Sequence, residues 1–332
     1  MAISSSPKDT LVLTRRDIAS LMSLDDYLAA AEAAFRALAE GRAHSPLPMH
    51  LPGEGGAFHV KGAGIGKHVA IKFNGNFPQN PERGLPTIQG AILFADAGKG
   101  SLLAIMDSIE ITLQRTAAAS ALAARYLARS DSTRIAVCGC GAQAPVQLKA
   151  LANVLRFREV RVWDLDPERT GNFAKQMQKE LGIDVRAVTQ LEEATRNSDV
   201  IVTCTTARAP FLGPEAVTKG TFIAAIGADN PDKSEIAPEL MAKSKIVADV
   251  LEQCLSMGDL NHAVRAGQLK REDVFAELGE VVIGKKPARA NAGEIFIFDS
   301  TGTAAQDVTA AAQVYARAVE RRAGMSISLG TL

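Results

Sequence analysis

Two glycines and a downstream acid frame the clearest chemistry in this chain. In Arg134-Ile135-Ala136-Val137-Cys138-Gly139-Cys140-Gly141-Ala142-Gln143-Ala144 an apolar run of strand type stops at Gly139, and a second glycine follows two residues later. Small residues then lead into Pro145-Val146-Gln147-Leu148-Lys149-Ala150, which reads as a helix. Gly139 permits a tight turn, Gly141 lets backbone N–H groups approach a pyrophosphate, and Ala144 lets helix and strand pack closely. Pro145 suits the first helical turn, where its missing N–H is no loss. The next strand-like run, Val160-Arg161-Val162-Trp163, ends in Asp164, near the roughly 20-residue spacing of a ribose-binding carboxylate. A bare G-x-G-x-x-A match arises often by chance, and Asp164 also reads as a surface acid before a helix started by Asp166-Pro167. The succession of strand, turn, helix, strand and acid favours a bound dinucleotide. A carboxylate that accepts from the ribose 2′-OH favours NAD, while Arg169 further along could serve NADP.

Other residues have types and settings that suit catalysis or binding. Lys72 lies inside the apolar run His68-Val69-Ala70-Ile71-Lys72-Phe73, where an ammonium carries a desolvation cost unless it reaches solvent or an anion. It reads equally as a carboxylate binder or proton donor and as a lysine snorkelling from an edge strand. Arg115 opens Arg115-Thr116-Ala117-Ala118-Ala119-Ser120, whose small residues let a ligand or a second backbone come close. Asp229 follows Ile226-Gly227-Ala228 at a strand end, where parallel sheets bind their ligands, and Lys233 lies four residues on. Asp229 is a candidate acid–base group, or an Asx turn into Asn230-Pro231-Asp232. Thr203 and Thr205 end another strand and suit a cofactor contact or a turn. Ser300, in Asp299-Ser300-Thr301-Gly302, reads as a helix cap or a ligand contact. Glu277 and Glu280 are expected to pair with basic neighbours. No Ser–His–Asp or Cys–His arrangement can be argued from spacing.

The elements that must position these residues follow from composition and periodicity. A chain of 332 residues, 47% hydrophobic, can bury a large core in two domains. Lysine plus arginine equals aspartate plus glutamate at 37 each, which removes any charge argument for nucleic acid or an anionic membrane. No apolar stretch approaches the roughly 20 residues of a membrane span. The first ten residues carry no export-type apolar segment, and the four cysteines and five histidines show no disulfide or metal spacing. The expectation is a cytoplasmic, metal-free protein. From Arg134 onward, apolar runs at 185–188, 200–205, 221–227 and 245–250 alternate with amphipathic segments, as in a parallel sheet covered by helices. Before Arg134 a helix over 24–40 is capped by Ser23 and ended by Gly41, with Tyr27, Leu28, Ala31, Ala34, Phe35 and Leu38 as its stripe. Strands follow at 57–61, 68–73, 88–94 and 101–106, the last two joined through Asp96-Ala97-Gly98-Lys99-Gly100. A long helix over 112–129 leads into the nucleotide domain. A C-terminal helix over 306–321 presents Val308, Ala311, Ala312, Tyr315 and Val319 on one face. The fold class is therefore α/β: a Rossmann-type doubly wound parallel sheet over 116–305, inserted in a second α+β domain of 1–115 and 306–332. Substrate and cofactor are expected to meet in a cleft between such domains.

The chain resembles the ornithine cyclodeaminase / μ-crystallin family. The resemblance rests on Gly84-Leu85-Pro86-Thr87, Met106-Asp107, Arg115 to Ser120, Gly139 to Gln143, Gly227-Ala228-Asp229, Ala276-Glu277-Leu278-Gly279-Glu280 and Phe298-Asp299-Ser300-Thr301-Gly302. These fall in the family's order over nearly the whole chain. The resemblance implies a homodimer, with the domain built from both chain ends serving substrate binding and dimerisation. It implies that Lys72 and Arg115 hold a substrate carboxylate and that Asp229 moves protons or polarises water, with Lys72 and Asp229 the catalytic pair. For the cofactor it implies Thr116, Gly139, Gly141, Ala142, Gln143, Asp164, Thr203, Thr205, Lys233 and Ser300.

Two departures bear on the substrate. Where the family carries an arginine after the first long helix, this chain reads His44-Ser45-Pro46-Leu47-Pro48-Met49-His50, with Pro48 in its place. Where a methionine is usual on the following strand, this chain has Lys61. On a strand His59 and Lys61 share a face, so an inward Lys61 replaces the missing arginine and His59 adds a polar group. A basic pocket disfavours the side-chain ammonium of ornithine. The expected activity is an NAD(P)-dependent oxidoreductase, an amino acid dehydrogenase or imine reductase acting on a small α-amino acid and its imino or oxo acid. The alternatives are a cyclodeaminase that releases ammonia from ornithine or lysine with catalytic NAD, and a non-catalytic, crystallin-like NAD(P)H-binding protein.

Overall fold

The computed structural model describes residues 9–46 and 48–329; the first eight residues, where no export segment was expected, and Leu47 lie outside them. The chain opens with β1 (Thr10–Leu13), α1 (Arg15–Leu21) and α2 (Leu24–Ala39). Reciprocal capping boxes, Thr14 with Asp17 and Ser23 with Asp26, start the two helices by satisfying N–H groups that no helical carbonyl can reach. A meander follows: β2 (Ala43–His44), β3 (Met49–Gly53), β4 (Gly56–Ile65), β5 (His68–Asn76), β6 (Ile88–Asp96) and β7 (Leu102–Asp107). At the β6–β7 turn Asp96 Oδ1 accepts the N–H groups of Gly98 (2.8 Å) and Lys99 (3.0 Å). The period of two is plain on β5: Ala70, Lys72 and Asn74 are buried, whereas Ile71 and Phe73 are exposed. α3 (Ser108–Leu127) comes next, and the division between two structural units falls within it, after Arg115.

The second unit, Thr116–Gly302, is an all-parallel sheet with helices between its strands. In chain order it holds β8 (Arg134–Cys138), α4 (Gln143–Val154), β9 (Glu159–Trp163), α5 (Pro167–Leu181), β10 (Asp184–Ala187), α6 (Leu191–Thr195), β11 (Val200–Thr203) and β12 (Phe222–Ala225). Then come α7 (Pro238–Ala242), β13 (Lys245–Ala248), α8 (Leu251–Ser256), α9 (Gly258–Arg265), β14 (Ala276–Glu277), α10 (Leu278–Val282) and β15 (Phe296–Asp299). Spatial order is β10-β9-β8-β11-β12-β15-β13-β14. The winding therefore reverses between β8 and β11, the place where doubly wound sheets bind nucleotides. Strands β8, β11, β12 and β15 are buried almost throughout, as expected of a sheet covered on both faces. β15 was not anticipated as a strand; it enters between β12 and β13 as Phe296-Ile297-Phe298, fully buried.

The chain returns to the first unit at Thr303. Thr303 caps α11 (Ala304–Arg321) in a box with Gln306, so the cap is Thr303 rather than Ser300. β16 (Met325–Ile327) then pairs antiparallel with β1, completing the order β16-β1-β7-β6-β5-β4-β2 with β3 on β4. α11 packs on α2 and on β4 and β5. Its buried face is rotated from the expected stripe. Asp307, Ala311, Val314 and Ala318 are buried, but Val319 is 44% exposed. An aspartate thus lies on the face that an apolar-stripe argument reserves for hydrocarbon.

Candidate functional site

The first unit gathers three buried cations, Lys61, Lys72 and Arg115. β4 and β5 pair with Lys61 opposite Lys72, Cα to Cα, and both side chains are buried. Arg115, on α3, is buried as well. Asp307 on α11 is the shared counter-ion of Lys72 and Arg115, with Lys72 Nζ 2.8 Å from Oδ2 and Arg115 Nε 2.6 Å from Oδ1. Gln306 Oε1 accepts from Arg115 Nη1 (3.0 Å), and Gln306 Nε2 donates to the Arg115 carbonyl (3.2 Å). Burial, then the neighbouring Arg115, pushes the Lys72 ammonium down to about 7, against the opposing pull of Asp307. Asp307 is held below the ordinary carboxylate range by Arg115 and Lys72, which outweigh its desolvation. Next along the same strand face, Asn74 accepts from the Ser108 hydroxyl at 2.5 Å. His59, two residues from Lys61, is half-buried, its ring edge-on to His50 with Nδ1···Nδ1 at 2.7 Å. Pro48 is half-buried in the loop before β3.

In the second unit the glycine turn leaves β8 at the reversal point. Gly139 has φ +97°, and a Cβ there would meet the Cys204 carbonyl oxygen at 2.9 Å, so only glycine fits. Gly141 and Ala142 are exposed, Gln143 is half-exposed, and no side chain caps the start of α4. An uncapped, accessible helix N-terminus beside a strained glycine is a cradle that fits a diphosphate. Asp164, just past β9, accepts the Cys140 N–H (2.7 Å) and the Asp166 N–H (3.0 Å). Arg169 stands 3.9 Å from Asp164 and 3.4 Å from Asp166. A cleft of about 520 Å³ runs beside these residues, lined by Gly141, Pro145, Asp166, Arg169, Asn172 and Phe173 among others. Burial, and Asp164 next, push the Cys140 thiol up, so it is a neutral wall of the turn.

Asp229 lies on the loop after β12, half-exposed, with Lys233 Nζ 2.8 Å from its Oδ1. Sequence reasoning overlooked what holds this loop: Glu235, fully buried. Its Oε2 accepts from Thr203 Oγ1 (2.6 Å) and the Gly227 N–H (2.8 Å), and its Oε1 from the Thr205 N–H (2.6 Å) and Oγ1 (2.7 Å). Glu235 and Ile236 in turn donate their N–H groups to buried Asp259. A Cβ on Gly227 would strike Glu235 Oε1 at 2.4 Å. This corrects the reading of Thr203 as a cofactor contact: it is 0% exposed and its hydroxyl serves Glu235. Thr205 shares that carboxylate but is only half-buried. Ser300 is nearly buried, 3.4 Å from Asp249 Oδ2, and Thr116 is buried at the head of this unit. Glu280 pairs with Lys285 (2.8 Å) as expected, whereas Glu277 accepts the Leu251 N–H (2.7 Å) instead of a basic partner.

Asp307 was likewise overlooked. Its signal was available: a carboxylate at the i, i+4, i+7 positions shared with Ala311 and Val314 needs a buried cation to face. Among the described residues no group of three or more His, Cys, Asp or Glu side chains could hold a metal ion, and no helix is long and apolar enough to cross a membrane.

Comparison with known proteins matches this arrangement along its length. An archaeal alanine dehydrogenase dimer with bound NAD superposes with TM-score 0.93 at 40% identity, over 96% of this chain and 99% of that one. The Δ1-pyrroline-2-carboxylate reductase of Thermococcus litoralis, in complex with NADH and L-proline, gives TM-score 0.91 at 33% identity, over 96% and 100%. The iminosuccinate reductase of Paracoccus denitrificans, in complex with NAD+, gives 0.89 at 32%, over 97% and 100%. The family model described as ornithine cyclodeaminase/mu-crystallin matches residues 8–322, and the chain belongs to that family.

Proposed function

We propose that this protein is an NAD-dependent oxidoreductase that interconverts a small α-amino acid and its imino or oxo acid, with a neutral or acidic side chain. The observation that carries the reading is the buried pair Lys72 and Arg115 sharing the carboxylate of Asp307, with Lys61 buried opposite Lys72. A buried cluster rich in cationic groups suits an incoming carboxylate and disfavours a side-chain ammonium. That charge balance favours a carboxylate substrate and demotes ornithine and lysine. NAD supplies the hydride acceptor or, reduced, the donor when bound.

The residues then divide the work. Arg115 and Lys72 hold the α-carboxylate and fix the orientation of the reacting carbon, a kind of positioning that contributes several kcal/mol to a barrier. Lys61 and His59 meet the side chain. Asp229, with Lys233 Nζ 2.8 Å from its Oδ1, exchanges the proton at nitrogen or activates water. Gly139, Gly141, Ala142 and Gln143 present N–H groups to the diphosphate, and Asp164 takes the ribose hydroxyls, which repels a 2′-phosphate and sets the preference for NAD.

The outer face of the first sheet supports a homodimer. Ile71, Phe73 and Leu93 are 42, 45 and 41% exposed on adjacent strands, and Phe58 stacks on Phe73 with centroids 5.1 Å apart. Contiguous apolar surface of this kind marks an interface. All four cysteines are free thiols, which fits a reducing cytoplasm.

The test is NADH oxidation with ammonia and pyruvate, glyoxylate, oxaloacetate or cyclic ketimine acids, run beside ammonia release from ornithine and lysine. Consumption of NADH with one of the acids is expected. Ammonia from ornithine with no change in NADH would make the protein a lyase instead. Asp229→Asn should lower turnover by about a hundredfold or more while NADH still binds; undiminished turnover would remove Asp229 from the chemistry.

A further inference from the structure

We propose that Asp307 is a positioning residue for substrate binding: it locks Lys72 and Arg115 into one clamp and keeps Lys72 cationic, so that a carboxylate meets two charges. The inference rests on reading this cluster as the carboxylate site. Its geometry is specific. Asp307 is almost wholly buried in the first turn of α11 and reaches Lys72 on β5 with one oxygen and Arg115 on α3 with the other. Gln306 takes Arg115 Nη1 from the adjacent position of the same turn. Two edges of the guanidinium are thereby fixed to α11, and among the described residues Nη2 has no partner. A planar fork held on two sides presents its third to a ligand in one orientation.

The electrostatics follow from the same placement. The charged groups that face Lys72 are Lys61 from β4, Arg115 from α3 and Asp307 from α11; on its other flank β6 offers only Ile92. Two of those three neighbours oppose the ammonium, as does burial. Asp307 alone sustains it. With Asp307 the Lys72 ammonium is brought to about 7; without that carboxylate it should be neutral throughout the neutral range. The substrate carboxylate would then find Arg115 held by Gln306 alone and Lys72 uncharged. The N-terminal end of α11 also favours an anion at this position, which helps keep Asp307 ionised.

The experiment follows the lysine side-chain 13C resonances of the full-length protein against pH, in the wild type, Asp307→Asn and Asp307→Glu. One lysine assigned to Lys72 should titrate near neutrality in the wild type and move down by about one unit or more in Asp307→Asn. In steady state Asp307→Asn should raise KM for the oxo or imino acid at least about tenfold with a smaller change in kcat, and shift the alkaline limb of kcat/KM to lower pH. NADH binding, read by its fluorescence, should not change. Asp307→Glu keeps the charge but displaces it, so the titration should recover while KM stays raised. A Lys72 midpoint unmoved in Asp307→Asn, or a wild-type KM in Asp307→Glu, overturns the proposal, and the glutamate variant serves if the asparagine one does not fold. The titration needs no turnover: a wild type inactive on every acid would defeat the proposed activity, while the resonances would still report on Asp307.

Discussion

Lys61 faces Lys72 across one pair of antiparallel strands, and neither reaches solvent. Like charges so placed are tolerated where an anion compensates them, as Asp307 does for Lys72. On the proposed reading, Lys61 meets the side chain of the substrate. Lys61→Met should cut kcat/KM on oxaloacetate with ammonia by about tenfold and leave pyruvate within about threefold. A parallel loss on both acids would place Lys61 on the α-carboxylate instead. At this scale the sequence was uneven to read. Gly139, Gly141 and Asp164 were legible because their meaning is local: a glycine turn, a helix start and an acid at a strand end. Lys72 and Arg115 drew notice as charges in apolar or small-residue settings. Asp307 did not, since its two partners lie on β5 and α3 and no window on α11 contains them. Glu235 was hidden for a similar reason. It stands in Pro231-Asp232-Lys233-Ser234-Glu235, a run that reads as solvated surface, yet it is fully buried.

Elements translate those residues into fixed positions. The loop after β12 carries Asp229, and its backbone is tied down by a carboxylate that accepts four hydrogen bonds from Thr203, Thr205 and Gly227. Glu235→Gln replaces one acceptor oxygen by an NH2 that confronts N–H or O–H donors. That mismatch should destabilise the protein by about 1–3 kcal/mol in urea unfolding, and it should lower turnover more than NADH affinity. An unchanged urea midpoint would mean that the loop holds its shape without Glu235. Element types were the most readable level, because capping boxes, glycine stops and period-two runs announce themselves within a few residues. The registers were not. That β15 enters between β12 and β13, and that α11 buries Asp307 rather than Val319, are outcomes of packing between segments distant in sequence. Periodicity can place Asp307 on the buried face, but it does not say which cations meet it there.

For the molecule as a whole, one surface and one connection stand out. The outer face of the first sheet exposes Ile71, Phe73 and Leu93 side by side, more apolar surface than a solvated sheet needs to show. If the proposed homodimer uses this face, Phe73→Asp with Ile71→Asp should halve the mass seen in sedimentation while NADH still binds; a dimer mass unaltered by both charges would rule this face out as the interface. The connection concerns the two chain ends, which build one unit around a contiguous second one. Arg115 leaves the ribosome 192 residues before Asp307. At roughly 5–20 residues per second that is about 10–40 s during which the nascent chain carries Lys72 and Arg115 without the carboxylate of Asp307. The parallel sheet can mature in that interval, but the cation cluster cannot be buried until α11 emerges. Synthesis order thus makes the cluster of Lys72, Arg115 and Asp307 one of the last parts of the protein to close.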